Sequence, residues 1–95
     1  MEKADAFDLI QKLPKAELHV HLEGSVTPEF WQHLLTKHQK NKPAPSIESL
    51  EKRFQFNSFW DFIEAYKDII KSFKSADDFY ELTREVLLKA VAQNI

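Results

Sequence analysis

His19 and His21 flank a single valine, and Glu17 and Glu23 stand two residues further out on either side. In an extended chain, residues two apart point to the same face with Cα atoms about 6.5 Å apart. Two imidazoles at that spacing can converge on one ion, and neutral imidazole is a good ligand for zinc. Either flanking acid could orient a histidine ring or meet a ligand. A catalytic zinc takes three protein ligands and a water, so this pair is part of a coordination shell and not the whole of one. The chain contains no cysteine, which excludes disulfides and thiolate ligands, so any metal must be held by His, Asp and Glu. His21-Leu22-Glu23 also matches half of a His-x-Glu zinc signature, but that signature needs a cysteine pair and is excluded.

The elements that must position these residues follow from periodicity. From Ala16 to Glu23, Leu18, Val20 and Leu22 fall on one side and Glu17, His19, His21 and Glu23 on the other, which predicts a strand at about residues 16–22. Ahead of it, Phe7, Ile10 and Leu13 recur every three residues and predict one short amphipathic turn of helix that ends before Pro14. Thr27-Pro28-Glu29 is a helix start, with a hydroxyl cap, proline at the first helical position and an acid in the first turn. That helix is expected to bury Phe30, Trp31, Leu34 and Leu35 and to run out near Lys40. His33 and His38 lie on it five residues apart, off the spacing that pairs side chains, and are expected to be solvated.

Two prolines in Asn41–Pro45 dictate a loop, after which Ser46 caps a short helix over Ile47 to Arg53. Ser58, with Asp61 three residues on, opens a helix whose Phe59, Phe62, Ile63, Tyr66, Ile69, Ile70 and Phe73 make a full apolar stripe. Ser75, followed by Asp77 and Asp78, caps the last helix, with Phe79, Leu82, Val86, Leu87, Ala90 and Val91 on its expected buried face. A lone strand leaves both rows of backbone groups unpaired. The expected organisation is therefore one incomplete α/β unit, mostly helical, lacking the partners of its strand.

Composition bounds the function. With 43% hydrophobic and 29% charged residues the chain reads as globular and soluble. A formal charge of −2 offers no basic face for phosphates, so no nucleic-acid partner is expected. No run approaches the ~20 apolar residues of a membrane helix, and the N-terminus has no apolar stretch of signal-peptide length. The reading is cytoplasmic, with no membrane association. The one glycine, Gly24, directly follows the histidine motif.

Read whole, Pro14-Lys15-Ala16-Glu17-Leu18-His19-Val20-His21-Leu22-Glu23-Gly24-Ser25, with Pro28-Glu29 following, resembles the opening signature of the adenosine/adenine deaminase family of the amidohydrolase superfamily. Phe59-Trp60-Asp61-Phe62 and Asp78-Phe79-Tyr80-Glu81-Leu82-Thr83 are similar to that family's segment between the first and second barrel strands. The resemblance implies an α/β fold, a metal-dependent hydrolase (β/α)₈ TIM barrel. Residues 1–95 would be the N-terminal part of that single domain, about a quarter to a third of the ~250 residues or more it needs.

It further implies Zn²⁺ as cofactor, with His19 and His21 as two of its ligands. Glu23 would lie beside a small-molecule purine or purine nucleoside, and Gly24 would let the backbone approach that ligand closely. In adenosine deaminases proper the position of Glu23 is usually Asp and contacts the ribose; glutamate leaves adenine or a modified purine nucleoside open. Phe59, Phe62 and Tyr66 match the helix that covers the purine pocket as an apolar lid. The implied reaction is hydrolytic deamination to the 6-oxo product with release of ammonia, zinc lowering the pKa of bound water towards ~7. The remaining zinc ligands and the Glu, His and Asp that move protons are implied later in the chain. No catalytic residue is assigned among residues 1–95, and the segment alone is expected to be inactive and to self-associate through exposed apolar faces.

Other readings of the same residues stay open. His-x-His on a first barrel strand serves several metal hydrolases, since fold does not fix function. The chain also reads as a small helical interaction module whose histidines are incidental. Phe59, Phe62 and Tyr66 at helical spacing read as plain core as readily as a lid, and Phe30, Trp31 and Phe79 read simply as core.

Overall fold

The helix starts form where their cap chemistry places them. In a computed structural model of the chain, which describes residues 2–39 and 42–95, Thr27 Oγ1 accepts the Phe30 N–H at 3.1 Å. Ser46 Oγ accepts the Ser49 N–H at 3.1 Å and Ser58 Oγ the Asp61 N–H at 3.2 Å. Each bond satisfies a donor that a helix N-terminus leaves unpaired. Asp61 reaches back to the Asn57 N–H at 3.1 Å, one residue ahead of the cap. Among the described residues five α-helices result: α1 (Lys3–Lys12), α2 (Pro28–His38), α3 (Ile47–Lys52), α4 (Phe59–Lys71) and α5 (Ala76–Ala92). A single 3₁₀ turn, Leu22–Ser25, precedes α2. The expected end of that helix near Lys40 lies outside the described residues; α2 closes at His38, with the Gln39 N–H on the Leu35 carbonyl.

The expected strand is not formed. Residues 14–21 run as irregular chain, with Leu18 97% exposed and Val20 half-exposed. Alternation decides which side chains share a face, but a ladder needs a second strand to receive its hydrogen bonds, and the described residues contain none. The alternation also stops short of its expected end. At Leu22 the chain enters the 3₁₀ turn, which takes Glu23 off the line of His19 and His21.

The core gathers Val26, Phe30, Trp31, Leu34, Leu50, Ile69 and Leu82, with Leu22, Leu35, Phe54, Phe73 and Val86 at its edge. The 3₁₀ turn packs between α4 and α5. The buried Trp31 Nε1–H donates to Ser72 Oγ at 2.9 Å, and the Ser72 hydroxyl donates to the Asp68 carbonyl at 2.9 Å, so neither polar group is left unsatisfied. The Arg53 guanidinium lies 5.5 Å from the Trp31 ring centre and bonds Asp68 at 2.6 Å.

Two expected buried faces are narrower than the stripes that suggested them. On α5 the buried positions are Asp78 and Leu82. Phe79, one residue round the helix, is half-exposed and stacks on Phe73 with ring centres 4.5 Å apart, while Leu87 and Val91 face outward. On α4 the buried positions are Ala65 and Ile69, and Phe59, Phe62 and Ile70 are exposed. A stripe marks the apolar side of a helix, but burial needs a neighbour opposite each residue. Helix α1 runs for 10 residues where one short turn is expected, and it buries none of them. It is tied down at its end, where Asn94 Nδ2 donates to the Lys12 carbonyl at 2.7 Å and the Lys15 N–H to the Asn94 carbonyl at 3.0 Å. Asn94 itself has φ 60, the left-handed turn that ends α5.

Helices α2 and α5 are joined by charge. Lys37 Nζ bonds Asp77, Asp78 and Glu81 at 3.1, 2.7 and 2.9 Å. Asp78 also accepts His38 Nε2 at 2.7 Å and the Lys74 and Ser75 N–H groups at 2.8 and 3.2 Å. His38 is therefore mostly buried and paired, and His33 bonds Glu81. The expectation of solvation fails for His38, whose partner lies on another helix, which spacing along α2 cannot report; His33 stays half-exposed while bonding Glu81. Burial pushes the Asp78 carboxyl up, but hydrogen bonds from Lys37, the Lys74 N–H, His38 and the Ser75 N–H outweigh it and hold the group far below the carboxylate range. Hydrogen bonds donated to Asp78 and Glu81 raise Lys37 well above its ordinary value.

The fold is open for its length. A compact domain of this size has a radius of gyration of about 12 Å, and the Cα value here is 16.1 Å. Among the described residues no helix is long and apolar enough to cross a membrane.

Candidate functional site

His21 ends the irregular segment and caps the 3₁₀ turn in an extended conformation, φ −88° and ψ 118°. Its carbonyl accepts the Gly24 N–H at 3.0 Å and the Ser25 hydroxyl at 3.3 Å. The turn thus closes on the histidine and fixes its backbone. His19 lies alongside, its ring centre 4.9 Å from that of His21 and the planes 35° apart. Two imidazoles sharing one tetrahedral zinc, with Zn–N about 2.0–2.1 Å, set their ring centres about 5 Å apart. The ring spacing is thus one that two ligands of a single zinc would have. Among the described residues no group of three or more His, Cys, Asp or Glu side chains is disposed to hold a metal.

The two histidines line a cleft of about 680 Å³ together with Glu17 and Glu23, and its walls include Val26, Phe54, Phe62, Ile63 and Ile69. Tyr66 of α4 crosses to the 3₁₀ turn, its hydroxyl donating to Glu23 Oε1 at 2.7 Å. That bond, with a backbone hydrogen bond and the nearby His21, holds the Glu23 carboxyl below its usual range against a small opposing effect of burial. The same bond raises the Tyr66 phenol. The cleft thus offers an ionised acceptor and two imidazoles among largely apolar walls, an arrangement suited to a mostly apolar ligand with polar edges.

Of the residues singled out in the sequence, His19, His21, Glu23, Gly24, Phe62 and Tyr66 all line this cleft. Phe59 does not. It opens α4, is 68% exposed, and packs on Phe62 and Trp60 at ring distances of 6.2 and 6.1 Å. Gly24 has no positive φ, and a Cβ placed on it would meet His21 Cβ at 3.5 Å, ordinary contact. The chain itself does not demand glycine there. The sequence did not point to Phe54 and Phe56, which follow α3 in irregular chain and line the cleft. Phe54 sets its edge against Trp31 and Phe56 against Phe62. Two aromatics in a loop carry no periodic signal.

Comparison with known proteins gives a consistent family. The family model described as Adenosine deaminase matches residues 14–95. The chain is 41% identical over 88 residues to an adenine deaminase of Psychrobacter cryohalolentis, covering 93% of this chain and 26% of that protein. It is 41% identical over 88 residues to an adenine deaminase of Wolinella succinogenes, covering 93% of this chain and 27% of the relative. With an adenine deaminase of Pseudomonas syringae pv. syringae it shares 38% identity over 89 residues, 94% of this chain and 28% of the other. The chain thus spans about a quarter of the length of the curated relatives it matches.

Proposed function

This chain belongs to the adenosine deaminase family, and on that premise we propose that it is the N-terminal segment of a zinc-dependent (β/α)₈-barrel hydrolase that removes the 6-amino group of a purine. Adenine is the favoured substrate. The observation that carries this reading is the His19–His21 pair, 4.9 Å between ring centres, lining a largely apolar cleft together with Glu23.

His19 and His21 would hold the zinc, whose third protein ligand comes from outside the described residues. When bound by such a shell, zinc supplies an activated water for hydrolysis. The chain's own residues bind and orient. Phe62, Ile63 and Ile69 keep bulk water from the flat faces of the base, and Glu23 accepts a hydrogen bond from its edge. Overall, one water is consumed and one ammonia released as the C–NH₂ carbon becomes a carbonyl carbon. Three of the relatives compared are named adenine deaminases, which supports the free base over the nucleoside. The cysteine-free sequence supports a cytoplasmic setting. Exposed Leu18, Trp60 and Val91 support self-association of the isolated chain.

The test is ammonia release from adenine and from adenosine by the zinc-loaded protein that carries this segment. Activity on adenine that His21→Ala abolishes, with circular dichroism unchanged, is expected. Activity on adenosine alone would overturn the substrate, and activity that survives loss of both histidines would overturn the metal assignment.

A further inference from the structure

Across the cleft, α4 and the 3₁₀ turn are joined by one side-chain hydrogen bond between residues 43 apart, from the Tyr66 hydroxyl to Glu23 Oε1. Both ends are held. The Tyr66 ring stacks on Phe62 with centres 6.0 Å apart and planes 29° apart. Glu23 sits on a turn whose backbone closes on the His21 carbonyl. Tyr66 is the side chain that hydrogen-bonds the Glu23 carboxylate among the described residues. An ionised carboxylate accepts only, and the phenol has committed its one proton to it. The pair therefore shows acceptors and no donor to a slot whose other walls are largely apolar. A ligand edge carrying N–H satisfies that acceptor, whereas an edge carrying a second acceptor or a methyl leaves it unpaired, and such mismatches discriminate strongly.

We propose that Tyr66 is a positioning residue which fixes Glu23 as an acceptor and so makes the cleft select a purine whose imidazole-ring edge bears an N–H. The selection rests on the purine-site reading above, because that reading turns the amino-bearing carbon towards His19 and His21 and leaves the imidazole ring to Glu23. Without the tyrosine hydroxyl, Glu23 keeps its charge but loses its fixed direction, and both kinds of edge are accommodated.

The experiment is a nuclear magnetic resonance titration of the chain with adenine and with 9-methyladenine, which has no ring N–H. Wild type, Tyr66→Phe and Glu23→Gln are compared. Wild type is expected to prefer adenine by about tenfold or more, the worth of one charge-assisted hydrogen bond. Tyr66→Phe should retain a folded spectrum and let the preference fall to about threefold or less. The ultraviolet titration of tyrosine gives a second readout: the late-ionising phenol of wild type should move earlier in Glu23→Gln. Full preference in Tyr66→Phe would overturn the positioning role and leave the purine site standing. Failure of wild type to bind either base would overturn both.

Discussion

Asp78 of α5 is fully buried, and Lys37 of α2 reaches its Oδ1 at 2.7 Å. The other oxygen accepts His38 and the two backbone N–H groups that lead into α5. One carboxylate therefore both caps a helix and joins it to its neighbour. Removing one partner of a buried pair is strongly destabilising, because the remaining groups lose their counterpart without regaining water. Asp78→Ala is expected to cost about 3 kcal/mol in urea unfolding, near the lower end of such losses since Lys37 keeps Glu81 and Asp77. Asp77→Ala, on an exposed neighbour of the same lysine, should cost under about 1 kcal/mol.

The same cluster sets an acid limit. The Asp78 and Glu81 carboxyls are both held below their ordinary values in the folded chain. A depressed folded pKa means stability present above the unfolded value, about 3.9 for Asp and 4.3 for Glu, and lost as pH falls towards the folded one. Urea midpoints measured from pH 7 downward should hold steady to about pH 5 and then fall. In Asp78→Asn the starting midpoint should be lower and the fall shallower. An unchanged slope in that variant would show that other groups govern acid unfolding.

Burial and exposure separate the apolar residues cleanly. Leu34 is fully buried, so Leu34→Ala should cost about 2–5 kcal/mol through lost contacts and a cavity. Trp60, larger and more hydrophobic, is 71% exposed, and Trp60→Ala should lie within about 0.5 kcal/mol of wild type. Thermal and urea unfolding of the two variants side by side checks the ordering.

Gly24 separates folding from binding. An added methyl meets only His21 Cβ at ordinary contact distance, and no positive φ is required. Gly24→Ala should therefore leave stability within about 1 kcal/mol of wild type. Purine affinity should fall if the backbone there approaches the ligand. A variant that binds purine normally would show that the glycine serves neither role.

How far the sequence carried this site depended on range. Thr27, Ser46 and Ser58 cap helices as read, because capping is decided within four residues. The His-x-His motif and Glu23 do meet at one cleft. The strand at 16–22 did not follow from alternation, since its hydrogen bonds depend on a second strand that residues 14–21 cannot supply themselves. Alternation puts Glu23 on one face with the histidines; the 3₁₀ turn redirects it towards Tyr66, a partner 43 residues away. Spacing along α2 misses the burial of His38 for the same reason, its partner Asp78 being 40 residues distant. Local chemistry was legible, and pairings across helices were not.

The central claim is that His19 and His21 hold one zinc together, and a zinc titration of the chain followed through the histidine ring resonances tests it most directly. One weak site is expected, the His19 and His21 signals moving together at the same zinc concentration while those of His33 and His38 stay still, with loss of that site in either His19→Ala or His21→Ala. Zinc binding that persists in the double variant, or rings that respond independently of each other, would contradict it.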